Sequence, residues 1–160
     1  MELKLCDGRT LNFPNNNFNL AFSYQTLQQV PTKELLAQNL KEIHLVLKPG
    51  GLLLLNTPDA SSALAKLLGS HWHLLVPPEH LHYFNKNNLS RLLTANGFKV
   101  MLAGRLGKKF TLAYIFKTLH QWQKLSLWKN LGQASQRGWL AKIALPLNLR
   151  DNILIIVRKK

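Results

Sequence analysis

Apolar residues along this chain switch between two spacings. Leu35, Leu36, Leu40, Ile43 and Leu47 recur every three or four positions, which places them on one face of an α-helix, and Pro31 with the N-cap candidate Thr32 precedes them. Lys48-Pro49-Gly50-Gly51 then breaks the pattern: the residue before a proline is pushed out of the α region, and two glycines permit a tight reversal, so the helix should end near Leu47. Leu52 to Leu55 form an uninterrupted apolar run closed by Asn56-Thr57-Pro58-Asp59, which predicts a strand over 52–56 buried on both faces. The remaining elements follow from the same signals. Leu3–Cys6 reads as a strand stub ending at Asp7-Gly8, and Phe18–Tyr24 as a strand after the turn "PNNN". Residues 61–68 read as a short helix and 69–84 as a long irregular segment. Asn85 can cap a helix through Leu89, Leu92 and Leu93 that stops at Asn96-Gly97, followed by strands over Phe98–Ala103 and Ile153–Val157.

Alternating strands and helices without an internal repeat imply one α/β domain, and 160 residues of 46% hydrophobic content suffice for one core. The single cysteine, Cys6, excludes an internal disulfide, and no apolar run approaches a membrane span or follows a signal-peptide pattern, so a cytoplasmic location is expected. Charge changes the picture more. Of the 21 bases and seven acids, residues 1–85 hold six of each, and residues 86–160 hold fifteen bases against Asp151 alone. Such asymmetry points to an anionic partner for the second half or to a well-solvated surface.

Two segments carry candidate chemistry. "GSHWHLLVPPEHLHYF" holds four of the six histidines, with His71/His73 and His80/His82 each spaced so that in extended chain both rings point to one side, as metal ligands can; no metal is assigned to them. Residues 108–130 read as a basic helix with Leu112, Ile115, Phe116, Leu119 and Trp122 on its apolar face, and Lys108, Lys109 and Lys129 at its ends. This helix suits either a lid over a pocket or an anionic membrane interface. No nucleic-acid-binding motif accompanies the charge.

"LNFPNNNFNLAFSYQTLQQVP", "LKEIHLVLKPGGLLLLNTP", "PPEHLHYF", "LSRLLTANGF" and "LPLNLRDNILIIVRKK" together resemble, in order and spacing, the second half of a class I S-adenosylmethionine-dependent methyltransferase. "PPEH" and the insert before the last strand are most similar to the branch found beside sugar-transfer and polysaccharide genes. The resemblance implies an α/β fold with an incomplete Rossmann-like sheet. It would hold family strands four, five, six and seven and the tail of three, with flanking helices and strand seven antiparallel, in a partial methyltransferase domain over 1–160 with a basic helical lid over 107–131. The Phe18–Tyr24 strand would then be an unpaired edge with no proline or charge to blunt it, as expected of a fragment or one half of a split protein.

The same resemblance implies the site. Asp7 and Gly8 match the turn that contacts the adenine of S-adenosylmethionine, and Ser23 and Tyr24 match the end of strand four beside its methionine part. The family's Gly-x-Gly-x-Gly loop and ribose-binding acid do not occur in this sequence, Asn19 stands where the usual Asp would be, and Gln28-Gln29 replace the usual Glu-His. A hydroxyl acceptor must lose its proton, and His80, oriented by Glu79, is the first candidate base, with His82 second. Trp72, His73 and Tyr83 are the expected acceptor contacts. The implied activity is methyl transfer to a hydroxyl of a small or lipid-linked, sugar-like acceptor, with a complementing N-terminal half or a second copy as partner and the isolated chain inactive. The alternative is a non-catalytic remnant that binds a partner or an anionic surface through its basic half.

Overall fold

The computed structural model describes residues 6, 9–106, 110–136, 144–145 and 150–160; within 110–123 and 144–145 some side chains are excepted. The expected stub before Cys6, the Asp7-Gly8 turn, Lys108-Lys109 and residues 146–149 lie outside the described residues.

Four strands form the main sheet: β1 (Phe18–Tyr24), β2 (Leu47–Pro58), β3 (Phe98–Leu106) and, after two short strands β4 (Phe110–Thr111) and β5 (Ala144–Leu145), β6 (Asn152–Lys159). Their order is β1-β2-β6-β3, with β1 parallel to β2 and β6 antiparallel to both its neighbours. The last strand is thus inserted between the second and third.

Between β1 and β2 runs α1 (Lys33–Val46), and its start was legible: Thr32 accepts from the Leu35 amide at 3.2 Å. Its end was nearly so. The helix stops at Val46, and Leu47 is already extended and paired with Phe18, so Lys48–Gly51 lies inside β2 rather than before it. The ladder resumes at Leu20↔Leu52, so four residues bulge outward against the single Asn19. Gly50 takes φ +76°, and a Cβ on Gly51 would meet the Lys48 carbonyl at 2.9 Å, which explains both glycines.

After β2 come α2 (Ala63–Leu68), capped by Ser62, and α3 (Lys86–Ala95), where Asn85 and Asn88 cap each other's backbone amides. The basic region is two helices, α4 (Leu112–Gln123) and α5 (Ser126–Ala134), broken at Lys124 with φ +54°. Trp128 of α5 stacks on Phe116 of α4 at 6.0 Å.

One face of the sheet is the core. Leu53, Leu55, Ile153, Ile155 and Val157 pack under Leu36, Leu40 and Ile43 of α1 and Leu89 and Leu93 of α3. The opposite face departs from the sequence expectation. Leu52 and Leu54 are only half-buried, and their neighbours Leu20, Phe22, Tyr24 and Leu102 are 54%, 63%, 58% and 49% exposed. A continuous run of leucines reads as buried on both sides, but whether a second layer covers them depends on residues elsewhere.

Candidate active site

The carboxyl ends of β1 and β2 carry an unusual density of buried polar side chains. Gln25, just past β1 at φ +53°, donates from Nε2 to Asn56 Oδ1 (2.7 Å) and Asn152 Oδ1 (2.8 Å). Its Oε1 accepts from Gln28 Nε2 (2.9 Å), whose own Oε1 accepts from Thr57 Oγ1 (3.0 Å). Gln28, Asn56, Thr57 and Asn152 are all buried, so this chain of amides rigidifies the point where β1, β2 and β6 meet. Gln28 thus has a defined role where the resemblance expected an acidic residue.

Beside the network lie two carboxylates. Asp59 directly follows β2, is fully buried, and receives Arg105 Nε at 2.5 Å and the Ser61 hydroxyl at 2.7 Å. Asp151 precedes β6, is 1% exposed, and lies 3.4 Å from His73 Nε2 through its Oδ2. Neither acid stood out in the sequence: each is a single carboxylate at a strand end, and only the antiparallel return of β6 brings them together, with the Asp59 amide donating to the Asp151 carbonyl at 2.8 Å.

The histidine-rich segment is fastened across this end. The Leu81 and His82 amides both donate to the Gln28 carbonyl (2.7 and 3.1 Å), the Ala60 amide donates to Phe84 O (2.8 Å), and Asp59 bridges Phe84. His80 Nδ1 lies 2.7 Å from the Leu74 carbonyl. A carbonyl only accepts, so that nitrogen carries the proton and Nε2 holds the lone pair. Glu79 is exposed, and the group orienting His80 is this carbonyl. Trp72 is 4% exposed with its Nε1–H unpartnered, and the buried Nε2 of His82 is likewise unpartnered. Tyr83 is half-buried beside them in sequence. Among the described residues no cluster of three or more His, Cys, Asp or Glu is placed to hold a metal.

Of the residues expected at the cofactor, Ser23 lines a groove of about 480 Å³ between β1 and α1, together with Thr26, Gln29, Arg9 and Asn39 and apolar walls from Leu11, Val30 and Ile43. Tyr24 turns to the opposite, exposed face of β1, and Asp7 and Gly8 lie outside the described residues. The groove and the histidine segment therefore flank the carboxyl end of β1 as two separate features.

Comparison with known proteins bears on this arrangement. A family described as "Methyltransferase domain" matches residues 6–103, more than half of the chain. No curated protein sequence matches it. Among solved structures, the chain is similar to an S-adenosylmethionine-dependent methyltransferase from Methanosarcina mazei (20% identity, TM-score 0.58, covering 98% of this chain and 66% of that one). One from Mesorhizobium loti gives 16% identity and TM-score 0.54 over 96% of this chain and 67% of that one. The [4+2]-cyclase SpnF gives 19% identity and TM-score 0.54 over 98% of this chain and 54% of that one. The chain thus spans between about half and two-thirds of the structures it resembles, and at these identities the likeness establishes the fold. With the family match lying over β1, β2, the histidine segment and α3, the chain belongs to the methyltransferase domain family.

Proposed function

We propose that the protein is part of a methyltransferase that moves a methyl group from S-adenosylmethionine to a hydroxyl of a small or lipid-linked, sugar-like acceptor. The observation that carries this reading is the family match lying over the carboxyl ends of β1 and β2, where open α/β sheets bind ligands. The solved methyltransferases that resemble it are described as S-adenosylmethionine-dependent.

The residues present fit part of such a cofactor. The groove has the volume of a small-ligand site and mixes polar Ser23, Thr26 and Gln29 with apolar walls, as a ligand with a flat base and a zwitterionic tail requires. Ser23 would hold the methionine end and Asp7-Gly8 the adenine, while Tyr24, on the opposite face of β1, takes no part. Bound there, the cofactor supplies an electrophilic methyl group. The chain's own task is to seat the acceptor and take its proton. Trp72, His73 and Tyr83 are the acceptor contacts, and His80 and His82 are candidate bases, the lone pair of His80 residing on Nε2.

The rest of the cofactor grip falls to a complementing segment, supplied in the same polypeptide or by another. The bare apolar face of β1, with Leu20, Phe22 and Tyr24 54–63% exposed, supports this. The basic second half, with fifteen bases and one acid, supports attachment to an anionic membrane surface where a lipid-linked acceptor resides. None of the described helices is long and apolar enough to cross a membrane. The same two surfaces favour a second reading, a partner-binding protein without catalysis.

Titration calorimetry separates the readings. The 160-residue chain alone should show no S-adenosylmethionine binding at millimolar concentration, because unsupported contacts contribute little affinity. Adding a segment that carries the family's first two strands, fused or in trans, should raise the melting temperature and restore binding. Binding that stays absent in the complemented protein favours the non-catalytic reading.

A further inference from the structure

Two cations interrupt the apolar open face of the sheet. In register across the four strands, Leu20, Leu52, Arg158 and Lys99 form one row, and Phe22, Leu54, Ile156 and Leu102 form the next. Arg158 and Lys99 are directly paired and both exposed, so their side chains leave the same face side by side, about 5 Å apart at Cβ. Like charges placed opposite each other weaken a sheet, and among the described residues neither cation has an ion pair or a side-chain hydrogen bond to offset this. The second row is wholly apolar and lies about 7 Å further along the strands. Exposed apolar rows that end in an unpaired cation pair fit a partner that brings both apolar side chains and a carboxylate.

We infer that this face is the docking surface for an amphipathic helix of another polypeptide segment, with an Asp or Glu seated between Lys99 and Arg158 and apolar side chains on the rows beyond. This gives the complementing partner of the proposed function a chemistry, and rests on that reading only in requiring a partner. Along a helix, a residue and its i+4 neighbour lie about 6 Å apart, close to the roughly 7 Å between rows. A helix aligned with the strands therefore sets its acid and its next apolar side chain in register with the two rows. Charge decides against the other occupants. A second copy of the same rows offers the cations no acid, and the chain's own α4 and α5 carry Lys117 and Lys129 and no acid. An anionic lipid surface is met by bases spread around an apolar patch, whereas this pair stands at one end of it. The apolar rows supply most of the affinity and the cation pair most of the selectivity.

Fluorescence anisotropy of two labelled helical peptides, titrated with the full chain, tests this. The peptides share one leucine face and differ at a single position a turn before the first leucine, which is Glu in one and Lys in the other. The Glu peptide should bind about tenfold more tightly, and the difference should shrink in about 1 M salt. Lys99→Glu/Arg158→Glu should reverse the order, while Phe22→Lys should weaken both peptides. If the double variant does not fold, Lys99→Glu alone serves. It replaces a like pair by an opposite pair, so it should raise the melting temperature of the isolated chain while abolishing the preference for the Glu peptide. Equal binding of the two peptides, or a preference that charge reversal leaves intact, overturns the seating of an acid. Binding of neither peptide overturns the docking surface. Capture by phosphatidylglycerol vesicles that Lys99→Glu/Arg158→Glu abolishes, with neither peptide bound, assigns the face to lipid and overturns the inference. No cofactor takes part, so failure here leaves methyl transfer standing, and absent S-adenosylmethionine binding in the complemented protein leaves this surface standing.

Discussion

His44 and Gly97 show how much a single contact decides. Gly97 ends α3 with φ +87°, and a Cβ there would come within 2.9 Å of His44 Nε2, whose ring also meets Phe98 edge-on at 5.2 Å. Gly97→Ala therefore meets both a left-handed backbone and a clash, and should cost about 1–3 kcal/mol, read from the urea midpoint. Burial, then the nearby Lys159 ammonium, hold His44 below the ordinary histidine value of 6.5, partly opposed by a hydrogen bond with the Gly97 backbone. A histidine whose folded-state value is lowered favours the fold while neutral. Its contribution is present above pH 6.5 and is lost as pH falls through the lowered folded value. The melting temperature should thus decline on acidification below that point, and less steeply in His44→Gln. The glycine was legible as a helix stop; its partner was not, because His44 lies 53 residues away in sequence and nothing local marks it.

At the scale of elements, caps and periods carried the sequence reading. Thr32 and Asn85 each accept from the amide three residues on, and the helices they open face the core at the expected spacing. The errors lie where an element depends on what surrounds it. β2 starts five residues early because Leu47 finds Phe18 across the bulge, and the leucine run is sealed on one face only. That difference is measurable: Leu53→Ala, at 0% exposure, should lose about 2–5 kcal/mol of unfolding free energy, and Leu54→Ala distinctly less. In the basic region, Trp128 is already stacked on Phe116, so its fluorescence should change little when liposomes containing anionic lipid are added. A pronounced blue shift assigned to Trp128 would mean that the α4–α5 pair opens on a membrane.

For the whole molecule, the uncovered sheet face dominates behaviour. Leu20, Phe22, Tyr24, Leu102 and Leu106 form a broad apolar surface beside a strand edge with no charge in it, a combination that invites association. In sedimentation velocity the isolated chain should show concentration-dependent association that Phe22→Lys reduces. A complementing segment should suppress it in the wild type while leaving Phe22→Lys less stabilised. Identical monomeric behaviour of both proteins would mean the face needs no cover. The sequence by itself determined the element types, their order and the family, because helix caps, glycine turns and apolar periods are local and each constrains the backbone within a few residues. Only the tertiary structure decided the composition of the crevice. Gln25, Gln28, Asn56, Thr57, Asn152 and Asp151 are scattered over 127 residues and become one network when β6 returns antiparallel between β2 and β3. Hydrogen bonds and charge pairs depend on distance in space, and the sheet order sets those distances where sequence separation does not.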